Sequence, residues 1–282
     1  MVQICVFSKN FQDLNADRLG RLLSGLKVPG VDLTVREGGH VEPAKVVADL
    51  PRFLETLKQH GVGVTMLTTS ITDIHAPNAK AVIEAAGKLG VRFIKLGYWN
   101  YRGWGHYREQ ERAVRADLAG IEPVLLANGV TAGIHTHSGD YLGLNTNYIM
   151  RLIEDRDPKA LGVFYDIGHN TLEGSNVGWR MDLDLARDRI VMVALKSMLW
   201  ERRTDARAGE RPWRWKVVPL SDGLADVPAF IGFLKQIPFT GPVSFHSEYK
   251  GDYSWRDLAG QDLIDQTRRD LDYARPLLES GS

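Results

Sequence analysis

Four times along the chain a helical pattern ends in a glycine followed at once by a valine that opens an apolar run: Gly61–Val62, Gly90–Val91, Gly129–Val130 and Gly162–Val163. Glycine tolerates the left-handed conformation just past a helix, where a Cβ is penalised, and valine suits a strand buried on both faces. The junctions recur at about 30 to 40 residues, the length of one strand-plus-helix unit. Such a chain builds a parallel sheet with helices outside it, because a parallel strand returns only through a long crossover.

Filling in the units gives eight. Strands are expected at Gln3–Phe7, Val31–Val35, Val62–Leu67, Phe93–Leu96, Thr131–Ile134, Val163–Tyr165, Ile190–Leu195 and Val243–Phe245. Between them lie amphipathic segments such as Val46–His60, where Val46, Val47, Leu50, Phe53, Leu54 and Leu57 recur at helical spacing. Helix starts are expected at Asn15 and at Asp226, with Pro228 in the first turn, and the last helix at Leu258–Leu278. Eight alternations predict an α/β fold, a closed (β/α)8 TIM barrel forming a single domain over residues 1–282. The rival, an open doubly wound sheet, normally shows a glycine-rich phosphate turn after its first strand, whereas SKNFQD follows Phe7 here.

Four apolar runs end in chemistry-bearing residues: LGVFYDIGHN (Leu161 to Asn170), GIHTHSG, VALKS and VSFHSEY. In a barrel the C-terminal strand ends carry the site, and the two-residue strand period decides which side chains face the axis. That alternation turns inward His135 and His137, Asp166, Lys196, and Ser244, His246 and Glu248, together with Asp32, Thr34 and Arg36, with Glu37 opening the next loop. A buried unpaired carboxylate costs several kcal/mol, so Asp166 is either a site residue or the N-cap of the following helix. Lys196 is a site cation or an ion pair with Asp166 or Glu248, and Asp32 with Arg36 reads as a barrel-filling pair. Arg36 is also suited to fork a carboxylate or phosphate. Tyr98, Trp99, Trp104 and His106, after the fourth strand, are expected to wall the pocket with aromatic rings on which apolar faces of a small molecule pack.

Lys+Arg and Asp+Glu are equal at 35 each and the pI is near 7.1, so no overall field attracts a polyanion and nucleic acid is not an expected partner. One cysteine, Cys5, gives no internal disulfide, no apolar stretch is long enough for a membrane, and the first residues lack a signal-peptide pattern; the expected location is cytoplasmic. The polar Trp200–Pro219 segment offers three uses: a lid closing Trp213 and Trp215 over a bound molecule, a contact with a second copy in a homodimer, or a solvated hairpin.

The pieces FSKNFQ, GVDLTVREGGHVEP, HTHSG, DIGHNTLEG, VVPLSDGLADVPAF and HSEY together resemble the xylose isomerase-like TIM-barrel superfamily, the sugar phosphate isomerase/epimerase group that also includes inosose dehydratases and endonuclease IV. The resemblance implies one divalent metal held by a Glu on the fifth strand, an Asp on the sixth, a His on the seventh and a Glu on the eighth. Here Asp166 matches, His135 replaces the first Glu, Ala194 takes the His position with Lys196 one pleat beyond, and the last Glu is His246 or Glu248. His135, Asp166, His246 and Glu248 are then the expected ligands of Mn, Zn, Fe or Mg, imidazoles favouring the first three. Alternatively Lys196 supplies the positive charge. The implied activity is a sugar isomerase or epimerase for a small sugar or cyclitol, abstracting a proton next to a carbonyl through an enediolate. Glu248 or His246 is the expected base, Asp166 with the metal or Lys196 holds oxygens, and His137 and His169 bind hydroxyls or act as acid. Two alternatives stand beside it: a lyase or dehydratase acting on an inosose or 3-keto sugar, and a sugar-binding barrel that has lost its chemistry. Neutral charge argues against a DNA-repair role.

Overall fold

The computed structural model describes residues 2–207 and 209–280. In chain order the strands are β1 (Gln3–Phe7), β2 (Gly30–Val35), β3 (Gly63–Thr69), β4 (Phe93–Lys95), β5 (Thr131–His135), β6 (Leu161–Asp166), β7 (Ile190–Leu195), β8 (Ser197–Arg202), β9 (Trp213–Val218) and β10 (Pro242–Phe245). The helices are α1 (Ala16–Gly25), α2 (Val46–Lys58), α3 (Ala79–Lys88), α4 (Tyr107–Asn128), α5 (Thr146–Ile153), α6 (Ile167–Ala186), α7 (Val227–Leu234) and α8 (Gly260–Glu279). Eight strands close in the order β1-β2-β3-β4-β5-β6-β7-β10, every neighbour pair parallel, with β10 returning to β1. This is a single (β/α)8 TIM barrel.

The pleat sorts each strand into two cores. Outward residues such as Val193, Leu195, Val243, Phe245, Ala132 and Ile134 join the large apolar layer under the helices. Inward residues Cys5, Met66, Phe164, Met192 and Ala194 form a small plug inside the cylinder. Burying a large apolar side chain of this kind contributes roughly 2–3 kcal/mol, so the two layers together fix which face of each strand looks at the axis. Asp32 sits in the plug fully buried, accepting from Thr68 Oγ1 at 2.7 Å and Ser244 Oγ at 2.9 Å. Its partners are therefore these two hydroxyls and not Arg36, because Arg36 lies two pleat repeats higher, in the cavity wall.

Three of the four glycine junctions have the expected left-handed backbone, with φ of 74° at Gly61, 75° at Gly90 and 62° at Gly129. Gly162 differs: it lies within β6, where a Cβ would meet Val191 Cγ1 at 2.5 Å and Arg189 O at 2.6 Å, so close strand-to-chain packing excludes a side chain there. Asn15 and Asp226 cap α1 and α7 through their side chains, accepting from Arg18 N and Ala229 N.

Between β7 and α7 the chain inserts an antiparallel hairpin, β8 with β9, paired from Ser197↔Val218 to Arg202↔Trp213. Of the Trp200–Pro219 segment, Ala208 lies outside the described residues. Trp213 is exposed, whereas Trp215 and Val217 line the mouth of the barrel.

Candidate active site

A cavity of about 310 Å³ opens at the C-terminal ends of the barrel strands. On its floor three donor groups converge: one ligand atom each of His135, ending β5, Asp166, ending β6, and His246, just after β10, lie within 4.8 Å of one another. Asp166 fills both roles that its position suggests. Its Oδ1 caps α6 by accepting from His169 N at 3.0 Å, while Oδ2 faces His135 Nε2 and Lys196 Nζ, each at 3.3 Å. His135 is held on its other side by the Tyr98 hydroxyl, 2.8 Å from Nδ1. The Asp166 carboxylate can only accept, so Nε2 carries the ring proton here and the phenol hydroxyl donates to Nδ1; because that hydroxyl can also accept, it can equally hold the tautomer with Nε2 free. His246 stacks on Phe7 with ring centroids 4.6 Å apart, yet both its buried ring nitrogens lack a hydrogen-bond partner among the described residues. The nearest carboxylates, Asp32 and Glu248, stand 3.8 Å away, too far for a hydrogen bond.

Lys196 is the hub of a buried charge network. Its Nζ lies 2.9 Å from Glu248 Oε2, 3.3 Å from Asp166 Oδ2 and 2.7 Å from His169 Nε2. Lys9 takes the other Glu248 oxygen at 2.7 Å. Burial pulls Lys196 down, but the two carboxylates outweigh it and hold the ammonium above the usual lysine range. Burial likewise pushes Asp166 and Glu248 up, and the Lys196 charge overcomes it, leaving both well below the usual carboxylate range. His135 and His169 are held well below the ordinary imidazole range, first by burial, and His137 is lowered to about 4 by burial and then by Lys196. All three rings are neutral at neutral pH. His137 Nδ1 lies 2.7 Å from the Ser138 carbonyl, which can only accept, so that nitrogen carries the proton and Nε2 is left with a lone pair.

The structure brings Asp166, Lys196, His246, Glu248, His135, His137, His169, Arg36 and Tyr98 into this one neighbourhood. Four other expected residues lie elsewhere. Glu37 is exposed in the turn after β2, His106 is exposed at the start of α4 beside Glu109, and the Trp99 indole turns away to donate to Asp117 Oδ2 at 3.0 Å. Trp104 is 97% exposed. Glu248 stands apart from the three-residue donor cluster, because two lysines already hold its oxygens. The aromatic wall comes instead from Tyr98, Tyr141, Trp215 and Tyr253. Two cationic wall residues, Lys95 and Lys9, were missed; Lys95 had a signal, a lysine alternating with Ile94 and Leu96 inside an apolar strand.

The donor set fits a divalent ion: two imidazoles and a carboxylate converge, and His246 has no hydrogen-bond partner among the described residues. Over residues 21–277 the sequence matches the family described as xylose isomerase-like TIM barrel. The chain belongs to that family. No curated protein matches this xylose isomerase-like barrel in sequence. Among solved structures it is similar to the 3-keto-D-glucoside 4-epimerase YcjR from E. coli, at 16% identity and a TM-score of 0.69, over 98% of this chain and 99% of that one. It is also similar to AsbF, the probable 3-DHS dehydratase from Bacillus anthracis, at 14% identity and 0.67, over 96% of this chain and 98% of that one. A third likeness is to the IOLI protein with a binding zinc atom, at 14% and 0.67, over 99% of this chain and 100% of that one. At these identities the likeness establishes the xylose isomerase-like fold. No helix among the described residues is long and apolar enough to cross a membrane.

Proposed function

We propose that this barrel is an enzyme that moves a proton on a carbon next to a carbonyl of a small sugar or cyclitol, the step that isomerases and epimerases share. What supports it most is His246, a buried ring with neither nitrogen hydrogen-bonded among the described residues and with one ligand atom within 4.8 Å of those of Asp166 and His135 at the floor of the cavity. His135, Asp166 and His246 would hold a divalent ion, and two imidazoles with one carboxylate favour Mn, Fe or Zn over Mg. When bound, such an ion supplies Lewis-acid polarisation of a carbonyl or hydroxyl oxygen. Tyr98 orients His135 for that role from the far side of the ring.

The remaining work falls to the chain's own side chains. His137 takes the proton: Nδ1 is fixed by the Ser138 carbonyl, and the lone pair on Nε2 belongs to a ring that lines the cavity. Glu248 is a poor base, since both its oxygens are bound by lysines. It serves as the counter-charge that keeps Lys196 in place. All three N–H directions of Lys196 are engaged, so its charge, preorganised at the cavity wall, favours the negative charge that develops on the enediolate. Trp215 and Tyr253 shield the site from bulk water.

The test is hydrogen exchange in D2O, followed by NMR, on neutral and acidic aldoses and ketoses, with the metal content of the same protein measured by mass spectrometry. The expected result is deuterium at the carbon next to the carbonyl, a stoichiometric transition metal, and a ~10²–10⁴-fold slower exchange in His137→Gln with metal retained. Metal-loaded protein that exchanges no substrate, or a His137→Gln variant as fast as the parent, overturns the assignment.

A further inference from the structure

The proton-transfer groups occupy one side of the cavity, and the opposite side carries charge that nothing on the protein answers. Lys95, the last residue of β4, is 2% exposed and faces the cavity, its Nζ 3.4 Å from the centre of the Tyr98 ring. Arg36, just past β2, shares that wall. Neither side chain forms an ion pair or a hydrogen bond with any described residue. The nearest buried acid, Asp32, is already satisfied by Thr68 and Ser244. Burial, with Arg36 and Lys9 close by, pushes the Lys95 amine well below the usual lysine range. By contrast Lys9 and Lys196, a few ångströms away across the mouth, both rest on Glu248.

We propose that Lys95 and Arg36 form an anion subsite for a terminal carboxylate or phosphate of the substrate, which makes the substrate an acidic sugar rather than a neutral one. The proposal deepens the sugar-enzyme reading above and rests on it. An unpaired ammonium buried beside a guanidinium is unfavourable until an oxyanion comes between them, and the two differ usefully as ligands. The guanidinium offers a planar fork and the ammonium a point charge. Tyr98 links this subsite to the reacting end: its ring face carries Lys95 and its hydroxyl holds His135 at 2.8 Å. An anion seated on Lys95 and Arg36 therefore places the far end of a small molecule over His135, Asp166 and His137. A cavity of about 310 Å³ is at the small end for ligand sites and suits a single sugar acid or sugar phosphate.

The test is calorimetric binding of D-glucuronate, D-glucose 6-phosphate and uncharged D-glucose to the parent protein and to Lys95→Met and Arg36→Met, with thermal melting as a fold control. At least one charged probe should bind the parent about tenfold or more tightly than D-glucose, and which of them does so tells carboxylate from phosphate. Each variant should lose about tenfold of that preference, read as the ratio of charged-probe to D-glucose affinity in the same protein. A parent that binds neither charged probe better than D-glucose overturns the subsite, as do folded variants that keep the preference. Arg36→Met, on a partly exposed residue, decides the matter alone if Lys95→Met does not fold. Binding needs no turnover: charge preference without deuterium exchange leaves the subsite standing and sinks the proton-transfer assignment, and exchange without charge preference does the reverse.

Discussion

On the side of the mouth built by β5, β6, β7 and β10, a buried lysine is enclosed by two carboxylates and an imidazole; on the side built by β2 and β4, a buried lysine and an arginine have no acid paired with them among the described residues. Both lysines are 2% exposed and both cap strands of the same barrel, so depth does not distinguish them. What differs is whether the protein itself completes the charge. A completed network is a scaffold that fixes geometry before substrate arrives, and an incomplete one is a place where a ligand must supply the missing group.

The largest effect that bears on this contrast is expected from Asp166→Asn. Its carboxylate serves His135 and Lys196 at once, and the amide keeps the helix cap but not the charge, so exchange at the substrate carbon should slow by ~10³-fold or more. A loss below tenfold would mean that the bonded side is not the reacting side. Next come the two lysines compared directly by urea unfolding. Lys196→Met leaves Asp166 without a cation and Glu248 with Lys9 alone, and should cost ~3–5 kcal/mol. Lys95→Met removes a cation that has no acid and should change stability by about 1 kcal/mol or less, or raise it. Equal losses would erase the distinction.

The pH dependence of stability separates the sides from the rest of the molecule. Asp270, on the buried face of α8 and away from the cavity, is pushed up to about 6 by burial despite hydrogen bonds from Tyr249, Gln266 and Leu220. Its folded value lies above its ordinary 3.8, so the penalty for ionising it is absent below that value and grows as pH rises to about 6, reaching ~3 kcal/mol at most. Asp166 and Glu248 run the other way, their stabilisation present above the usual carboxylate range and lost only as pH falls through their lowered folded values. Asp182, raised by burial to about 6 as well, contributes in the same window, so Asp270→Asn should remove part of the decline between the two pH values in unfolding curves, and a decline of undiminished size would place its origin elsewhere. The smallest change is expected from His246→Gln: with no hydrogen bond to lose, stability should shift by about 1 kcal/mol or less while ion retention disappears from the mass-spectrometric metal content.

The barrel was legible because each strand repeats the same grammar. β1 and β7 match their expected limits, and the other barrel strands differ by a residue or two at their ends, where hydrogen bonding and not side-chain pattern sets the boundary. Alternation also told which of Asp166, Lys196, His246 and Glu248 would turn inward, since the apolar residues between them have to face the helices. It failed beyond the strands. Trp99 and His106 follow β4 in a loop with no period, and a distant acid, Asp117, decides where the indole points. Glu37 falls outside for the same reason, two residues past the end of β2. Lys95 was overlooked in the opposite way: it lies inside a strand, where the same alternation would have placed it in the cavity.

The hairpin between β7 and α7 carries a consequence for how such a barrel could diversify. Its ladder is closed upon itself, so the turn joining β8 to β9 can change length and composition without disturbing the closure of the cylinder. Its root has no such liberty: β8 begins at Ser197, adjacent to Lys196, and Ser197 Oγ accepts from Ala225 N in the entry to α7. New roofs, and with them new substrate shapes, can thus be tried over an unaltered hearth.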